Sequence, residues 1–257
     1  MSRIEQLFKR KKEKIVNVYC TAGYPRLDST IEVMKALEQN GADLIELGMP
    51  YSDPLADGPV IQASSARALQ NGMTISKLFE QLQDFRKEVN VPVVLMGYLN
   101  PLLQYGFEKF CLKAAASGID GLIVPDIPMH EYENEYKNIV EKCGLDFIFL
   151  VTPETSDERI KKLDGLSRGF LYAVSSSSIT GSDKDFSGVE SYLQKLKTMN
   201  LKNPVLVGFG IKDKVTFSAA CKYANGAIIG TAYIKALEGD NGIKEKTKIF
   251  LEGILNG

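Results

Sequence analysis

The sequence predicts a single (β/α)8 barrel of the TIM type, residues 1–257 forming one domain with an extra helix ahead of the first strand. Three observations carry that expectation. Short, continuously apolar runs alternate with longer amphipathic stretches about eight times along the chain. Runs of that kind read as strands buried on both faces, which is how a parallel sheet covered by helices is built. The 257 residues match the roughly 250 that such a barrel uses. The composition, 44% apolar and 25% charged, is that of a globular chain able to bury a large core.

The chain begins with a short helical stretch closed by Lys9, Arg10, Lys11 and Lys12, cations placed where a helix dipole is negative. With a formal charge of −1 overall, this run makes no case for a nucleic-acid partner. Strand-like runs follow at 15–20, 43–47, 91–96, 121–124, 147–151, 170–174, 204–207 and 227–229. Between them, apolar residues at helical spacing predict helices over 30–39, 61–70 with 75–88, 107–116, 131–143, 157–166, 189–199, 212–223 and from 233 onward, the last at 244–255. Right-handed crossovers between such units give a parallel sheet, and eight of them argue for a closed barrel over an open one. No linker, repeat or low-complexity tract interrupts the series.

The second strand-like run carries the chemistry. Asp43 to Pro59 reads DLIELGMPYSDPLADGP, a short buried strand followed at once by a loop dense in Pro, Gly and Asp. Glu46 sits near the strand's end between leucines, where burial raises a carboxyl pKa and lets it carry a proton near neutral pH. Asp53 and Asp57 follow in the loop, whose backbone Pro54, Gly58 and Pro59 shape. A structural reading has Glu46 salt-bridged and the aspartates capping turns, but an acid on an apolar strand needs a partner or a task.

In a barrel of this kind the working residues lie at the C-terminal strand ends. Those ends supply Cys20 and Thr21, Glu46, Tyr98 and Asn100, Asp126, Thr152, Tyr172 and Ser175, Gly208 and Gly210, and Gly230 and Thr231. None offers a lysine, which disfavours Schiff-base chemistry. The sole histidine, His130, falls in the first turn of a solvated helix, so the donor set is poor in metal ligands and no metal is expected. Cys20, Cys111, Cys143 and Cys221 have no metal-like spacing and read as reduced, mostly buried thiols. No apolar run reaches the roughly 18 residues of a membrane span, and the start lacks a signal-peptide core, so a cytoplasmic protein is expected.

Two glycine turns, Gly208-Phe209-Gly210-Ile211 and Gly230-Thr231-Ala232, each open toward a helix after the last two strands. Backbone N–H groups there can approach an anion, and these loops are the usual phosphate site of the fold. The small-residue loop from Ser175 to Gly181, after the sixth strand-like run, suggests a mobile lid. Leu99, Pro101, Leu102 and Leu103, with Pro54 and Leu55, are apolar or rigid loop residues that suit a partner surface. On these residues alone two other readings stay open. One is a phosphosugar isomerase or epimerase using Glu46 as its base; the other is an inactive barrel kept as a binding or activating subunit.

YCTAGYP at Tyr19 to Pro25, ELGMPYSDPLADGP at Glu46 to Pro59, Asp126-Ile127-Pro128, Thr180-Gly181, GFGI at Gly208 to Ile211 and Gly230-Thr231-Ala232 resemble, in order and spacing, the tryptophan synthase alpha subunit family. The resemblance spans essentially the whole chain. It implies a (β/α)8 barrel that uses no cofactor and cleaves indole-3-glycerol phosphate by a retro-aldol reaction to indole and glyceraldehyde 3-phosphate. It also implies a pyridoxal-phosphate-dependent beta subunit as partner, in an alpha2beta2 complex. By position, Glu46 resembles the family's acid/base and Asp57 the acid that stabilises positive charge on the indole nitrogen, with Tyr172 beside them. Gly181, Gly210, Gly230 and Thr231 match phosphate contacts, and Thr180 falls in the lid motif. Tyr98 and Asn100 match positions near the indole end and the partner interface. Ser176 departs from the pattern, standing where the family often has arginine, and a glycine commonly found before Ile179 is missing; both bear on lid closure.

Overall fold

A computed structural model describes residues 1–174, 186–208, 210–239 and 241–256. The first strand, β1 (Ile15–Thr21), lies between β2 (Leu44–Gly48) and β9 (Gly226–Ile229). On one side the sheet continues through β3 (Val93–Met96), β4 (Gly121–Ile123) and β5 (Asp146–Ile148). On the other it continues through β8 (Val205–Gly208), β7 (Leu171–Val174) and β6 (Leu150–Val151). Every pairing is parallel. The two ends of the series, β5 and β6, are halves of one segment, so the sheet closes on itself as a barrel.

The fifth strand-like run is thus split at Phe149. Its N–H turns away to the Ser167 Oγ at 3.1 Å, while its carbonyl still accepts the Tyr172 N–H at 3.0 Å. A side chain has replaced one ladder partner, which apolar patterning does not reveal.

Helix α1 (Arg3–Arg10) lies across the N-terminal end of the barrel. Ser2 and Glu5 cap it reciprocally, and Lys9 and Arg10 occupy its last turn. Its Ile4 and Leu7 are buried with Ile15, Leu44, Val94, Ile123, Ile148, Phe170, Leu206 and Ile228, the apolar floor of the barrel interior. A second, larger core packs the outward strand residues against α2 (Thr30–Gln39), α3 (Pro59–Gln70), α4 (Ile75–Gln81) and the helices that follow.

Where sequence and structure differ, the cause is local. The helix expected over 75–88 tightens after Gln81 into a 3-10 segment, Leu82–Lys87. The stretch after β3, read as a loop, is instead α5 (Leu99–Tyr105), followed by α6 (Phe107–Ser117). Pro101 misleads here: it occupies the third helical position, where its missing N–H has no intrahelical acceptor to lose. One consequence corrects an expectation: Leu102 is fully buried in the outer core and offers no partner surface, whereas Leu103 is 46% exposed. The helix expected at 131–143 is present, but a π-helical turn, Tyr132–Tyr136, interrupts it between α7 (Met129–Glu131) and α8 (Lys137–Lys142). The later helices, α9 (Asp157–Leu166), α10 (Phe186–Thr198), α11 (Lys214–Cys221), α12 (Thr231–Ala236) and α13 (Ile243–Leu255), lie where the periodicity puts them. Among the described residues no helix is long and apolar enough to cross a membrane.

Candidate active site

The barrel interior changes character above its apolar floor. β1 and β2 run in register with Tyr19 opposite Glu46, and the side-chain period of two puts Asn17 and Tyr19 on the face that Glu46 shares. Glu46 is fully buried, as is Asn17, whose Nδ2 donates to Glu46 Oε1 at 2.5 Å. Burial pushes the Glu46 pKa up to about 8, and the Asn17 amide only partly counters it. The carboxyl therefore holds its proton at neutral pH and sits close enough to the working range to release it.

Asp57 lies in the loop between β2 and α3, half-buried. Burial raises its pKa and the Tyr98 hydroxyl, which hydrogen-bonds it, acts in the opposite direction. Tyr98 stands at the C-terminal end of β3, where its hydroxyl also accepts the Ala56 N–H at 3.0 Å. One phenol thus ties the acidic loop to the neighbouring strand. Its ring packs on Tyr51 with centroids 5.3 Å apart, and Asn100 Nδ2 donates to the Tyr51 hydroxyl at 3.2 Å. At the far end of the loop Thr21 and Ser64 hydroxyls meet at 2.7 Å, pinning the top of β1 to α3.

Tyr19 and Tyr172 lie within electrostatic reach of both acids. Burial raises both phenol pKa values first, and the charges of Glu46 and Asp57 push each of them the same way. Glycines make room for these rings. A Cβ on Gly48 would lie 2.1 Å from the Tyr19 hydroxyl, and one on Gly208 would lie 2.5 Å from the Tyr172 ring. Gly208 therefore serves ring packing inside the barrel, a use the glycine-motif reading did not anticipate.

The remaining expected residues fall around this centre. Gly210 is exposed, with φ at +43° and nothing within 4 Å of a Cβ built on it, and Gly230 precedes α12, whose first residue is Thr231. Asp53 is exposed and takes a hydrogen bond from Ser52, Leu55 is 92% exposed, and Pro54 is half-buried between them. Thr180, Gly181 and Ser176 lie outside the described residues. His130 is exposed on α7 with Asn134 beside it. Among the described residues no cluster of three or more His, Cys, Asp or Glu side chains is arranged to hold a metal. Sequence reading missed Asn17 and Tyr19 as site residues. The same logic that picked out Glu46, a polar group inside an apolar strand, applies to Asn17 and finds it.

Parallel barrel, polar strand mouths and a loop held over them define a (β/α)8-barrel enzyme. Residues 4–253 match the family model described as tryptophan synthase alpha chain. A tryptophan synthase alpha chain from Flavobacterium johnsoniae is 57% identical over 238 residues, 92% of this chain and 94% of its own. One from Flavobacterium psychrophilum is 51% identical over 98% of this chain and 99% of its own. Among solved structures, tryptophan synthase subunit alpha from Legionella pneumophila superposes with a TM-score of 0.90 at 34% identity, covering 99% of this chain and 97% of that one. Tryptophan synthase from M. tuberculosis, in its aminoacrylate-bound form, gives 0.87 at 30% identity over 99% and 98%. The chain belongs to the tryptophan synthase alpha chain family.

Proposed function

We propose that Glu46 and Asp57 carry the alpha-chain reaction in this protein. That reaction is a carbon–carbon lysis in tryptophan biosynthesis: indole-3-glycerol phosphate is cleaved to indole and glyceraldehyde 3-phosphate, and the subunit works with a beta subunit. The observation that carries the residue assignment is the pair of unequal acids at one mouth, a fully buried Glu46 and a half-buried Asp57 clamped by Tyr98.

Retro-aldol cleavage needs a proton placed on the indole ring carbon and another taken from the side-chain hydroxyl. Glu46, protonated at rest with a pKa near 8, suits the first step and, once ionised, the second. Protonating the ring puts positive charge on its nitrogen, which the Asp57 carboxylate stabilises. Two acids in different environments thereby divide the work. The loops at Gly210 and at Gly230 with Thr231 are the proposed seat of the phosphate, joined by Thr180 and Gly181; the exposed Gly210 and the open space around it support this reading. Tyr172, whose phenol feels the charges of both acids, lines the space where the indole goes.

Docking of the beta subunit is proposed at the loop of Asp53, Pro54 and Leu55 and at Asn100, with Leu103 taking the place expected of Leu102. Since that loop carries Asp57, association and rate are coupled. A single domain and a cytoplasmic location complete the proposal, supported by one continuous barrel and by the biosynthetic role.

The test is release of indole from indole-3-glycerol phosphate by the purified chain while the beta subunit is titrated in. Slow turnover alone and a gain of at least about tenfold, equal to about 1.4 kcal/mol of barrier, are expected. Asp57→Asn should lower kcat at least about 10²-fold with circular dichroism unchanged. A near-wild-type rate in that variant removes Asp57 from the mechanism.

A further inference from the structure

We propose that Asn17 is a positioning residue for the acid/base of this reaction, its amide donating to Glu46 when the carboxyl is ionised and accepting from it when protonated. The proposal rests on the assignment of Glu46 made above.

The geometry is unusual in what it leaves unpaired. Asn17 Nδ2 meets Glu46 Oε1 at 2.5 Å, while Asn17 Oδ1 and Glu46 Oε2, both buried, have no hydrogen-bond partner. A buried polar atom left without a partner is costly, so a pair of them beside each other is unfavourable unless both are used in turn. A single proton resolves it. An ionised carboxylate only accepts, and the Asn17 N–H₂ serves it; a protonated one also donates, and rotation of the amide presents Oδ1 to that O–H. Side chains able only to donate, such as lysine, or only to accept, such as aspartate, would favour one protonation state and strand the other.

Other groups leave this task to Asn17. The titratable side chains near Glu46 on its own face are Tyr19 on β1 and Tyr172 on β7, both pushed upward and neutral, with the Asp57 charge acting on both tyrosines; Cys20, next to Tyr19 on β1, packs in the outer core instead and is also pushed upward. On its other flank β3 contributes Val93 to Met96, none of them titratable. Among the described residues no other hydrogen bond reaches the Glu46 carboxyl.

Over the cycle Glu46 gives up one proton and regains one. The Glu46 O–H proton moves to the indole ring carbon, whose π pair forms the new C–H bond, and the carboxylate turns to the Asn17 N–H₂. The carboxylate next takes the side-chain hydroxyl proton; the O–H pair becomes the carbonyl π bond and the C–C pair returns to the ring. Glu46 ends protonated, with the amide turned back, and nothing is oxidised or reduced.

Two near-isosteric variants test this in the complex with the beta subunit. Asn17→Leu removes donor and acceptor, and Asn17→Asp removes the donors. In both, the ionised form of Glu46 loses its partner, so the alkaline limb of the kcat profile should move up by about one pH unit. At neutral pH kcat should fall at least about tenfold, with KM changed less than about threefold. Infrared spectra should show the Glu46 acid carbonyl, identified by its absence in Glu46→Gln, shifting to the position of a free acid in Asn17→Leu. An unmoved limb and carbonyl band, whether or not activity falls, overturns the proposal. Should Asn17→Leu fail to fold, the wild-type spectrum decides: a free-acid carbonyl there overturns it. If Glu46→Gln itself retains activity, the earlier assignment fails instead, which the carbonyl measurement distinguishes.

Discussion

Replacing Glu46 by glutamine should cut turnover steeply and make the protein more stable. The carboxyl titrates near 4.5 when solvated and near 8 in the barrel, so between those values the native state holds a proton that the unfolded chain releases. Stability then falls as pH rises through this window, the contribution being complete below 4.5 and exhausted above about 8. At pH 7, about 2.5 pH units above the solvated value, the cost at about 1.4 kcal/mol per unit is about 3 kcal/mol. Glutamine does not titrate, keeps an acceptor for the Asn17 Nδ2, and brings an N–H₂ to the unpartnered Asn17 Oδ1. The variant should therefore match wild type at pH 4.5 and exceed it by about 2–3 kcal/mol at pH 7, while indole release drops at least about 10²-fold. Urea unfolding of both proteins at several pH values reads this directly, since every other titrating group cancels in the difference. A stability difference that stays flat from pH 5 to pH 7 would show that Glu46 is ionised in the native state, and the acid role assigned to it would fall.

Gly208→Ala should cost about 1–3 kcal/mol and lower kcat, because the added Cβ would meet the Tyr172 ring at 2.5 Å; an unaltered melting temperature and rate would refute the packing account. Gly210→Val should raise KM at least about tenfold with a smaller change in kcat, since the side chain enters the proposed phosphate space from a backbone at φ +43°; titration with inorganic phosphate or glycerol phosphate checks it. Leu55→Asp, at a residue 92% exposed, should leave stability within about 0.5 kcal/mol and reduce the rate gain on adding the beta subunit. Full activation in that variant would take Leu55 out of the interface.

Strand identity was the most legible feature of the chain because burial on both faces leaves an uninterrupted apolar signature. β1, β2, β3 and β9 fall within two residues of the expected runs. Two elements hid for stated reasons. The break at Phe149 depends on a hydrogen bond from its N–H to the Ser167 Oγ, eighteen residues away in sequence, and nothing in the local pattern encodes it. α5 hid behind Pro101, which reads as a breaker unless the helix start is already known. That second error propagated, because a residue assigned to an exposed loop turned out to be Leu102, buried against the barrel's outer core.

The site was legible to the extent that its residues violate their surroundings. Glu46 stands out on an apolar strand, and the structure gives it the burial and raised pKa that such a violation implies. Asp57 is less distinctive locally; what sets its environment is Tyr98, more than forty positions downstream, whose hydroxyl holds both it and the Ala56 N–H. The glycines show the limit of motif reading most clearly. Gly208 and Gly210 sit two residues apart in sequence, yet the first, at the end of β8, yields its space to Tyr172 inside the barrel and the second faces open space. A glycine states that a side chain is unwelcome and says nothing of what fills the place. Deciding between a ring and an anion takes the third dimension, and here it assigns Gly208 to the ring while leaving Gly210 open, which is the space proposed for the phosphate.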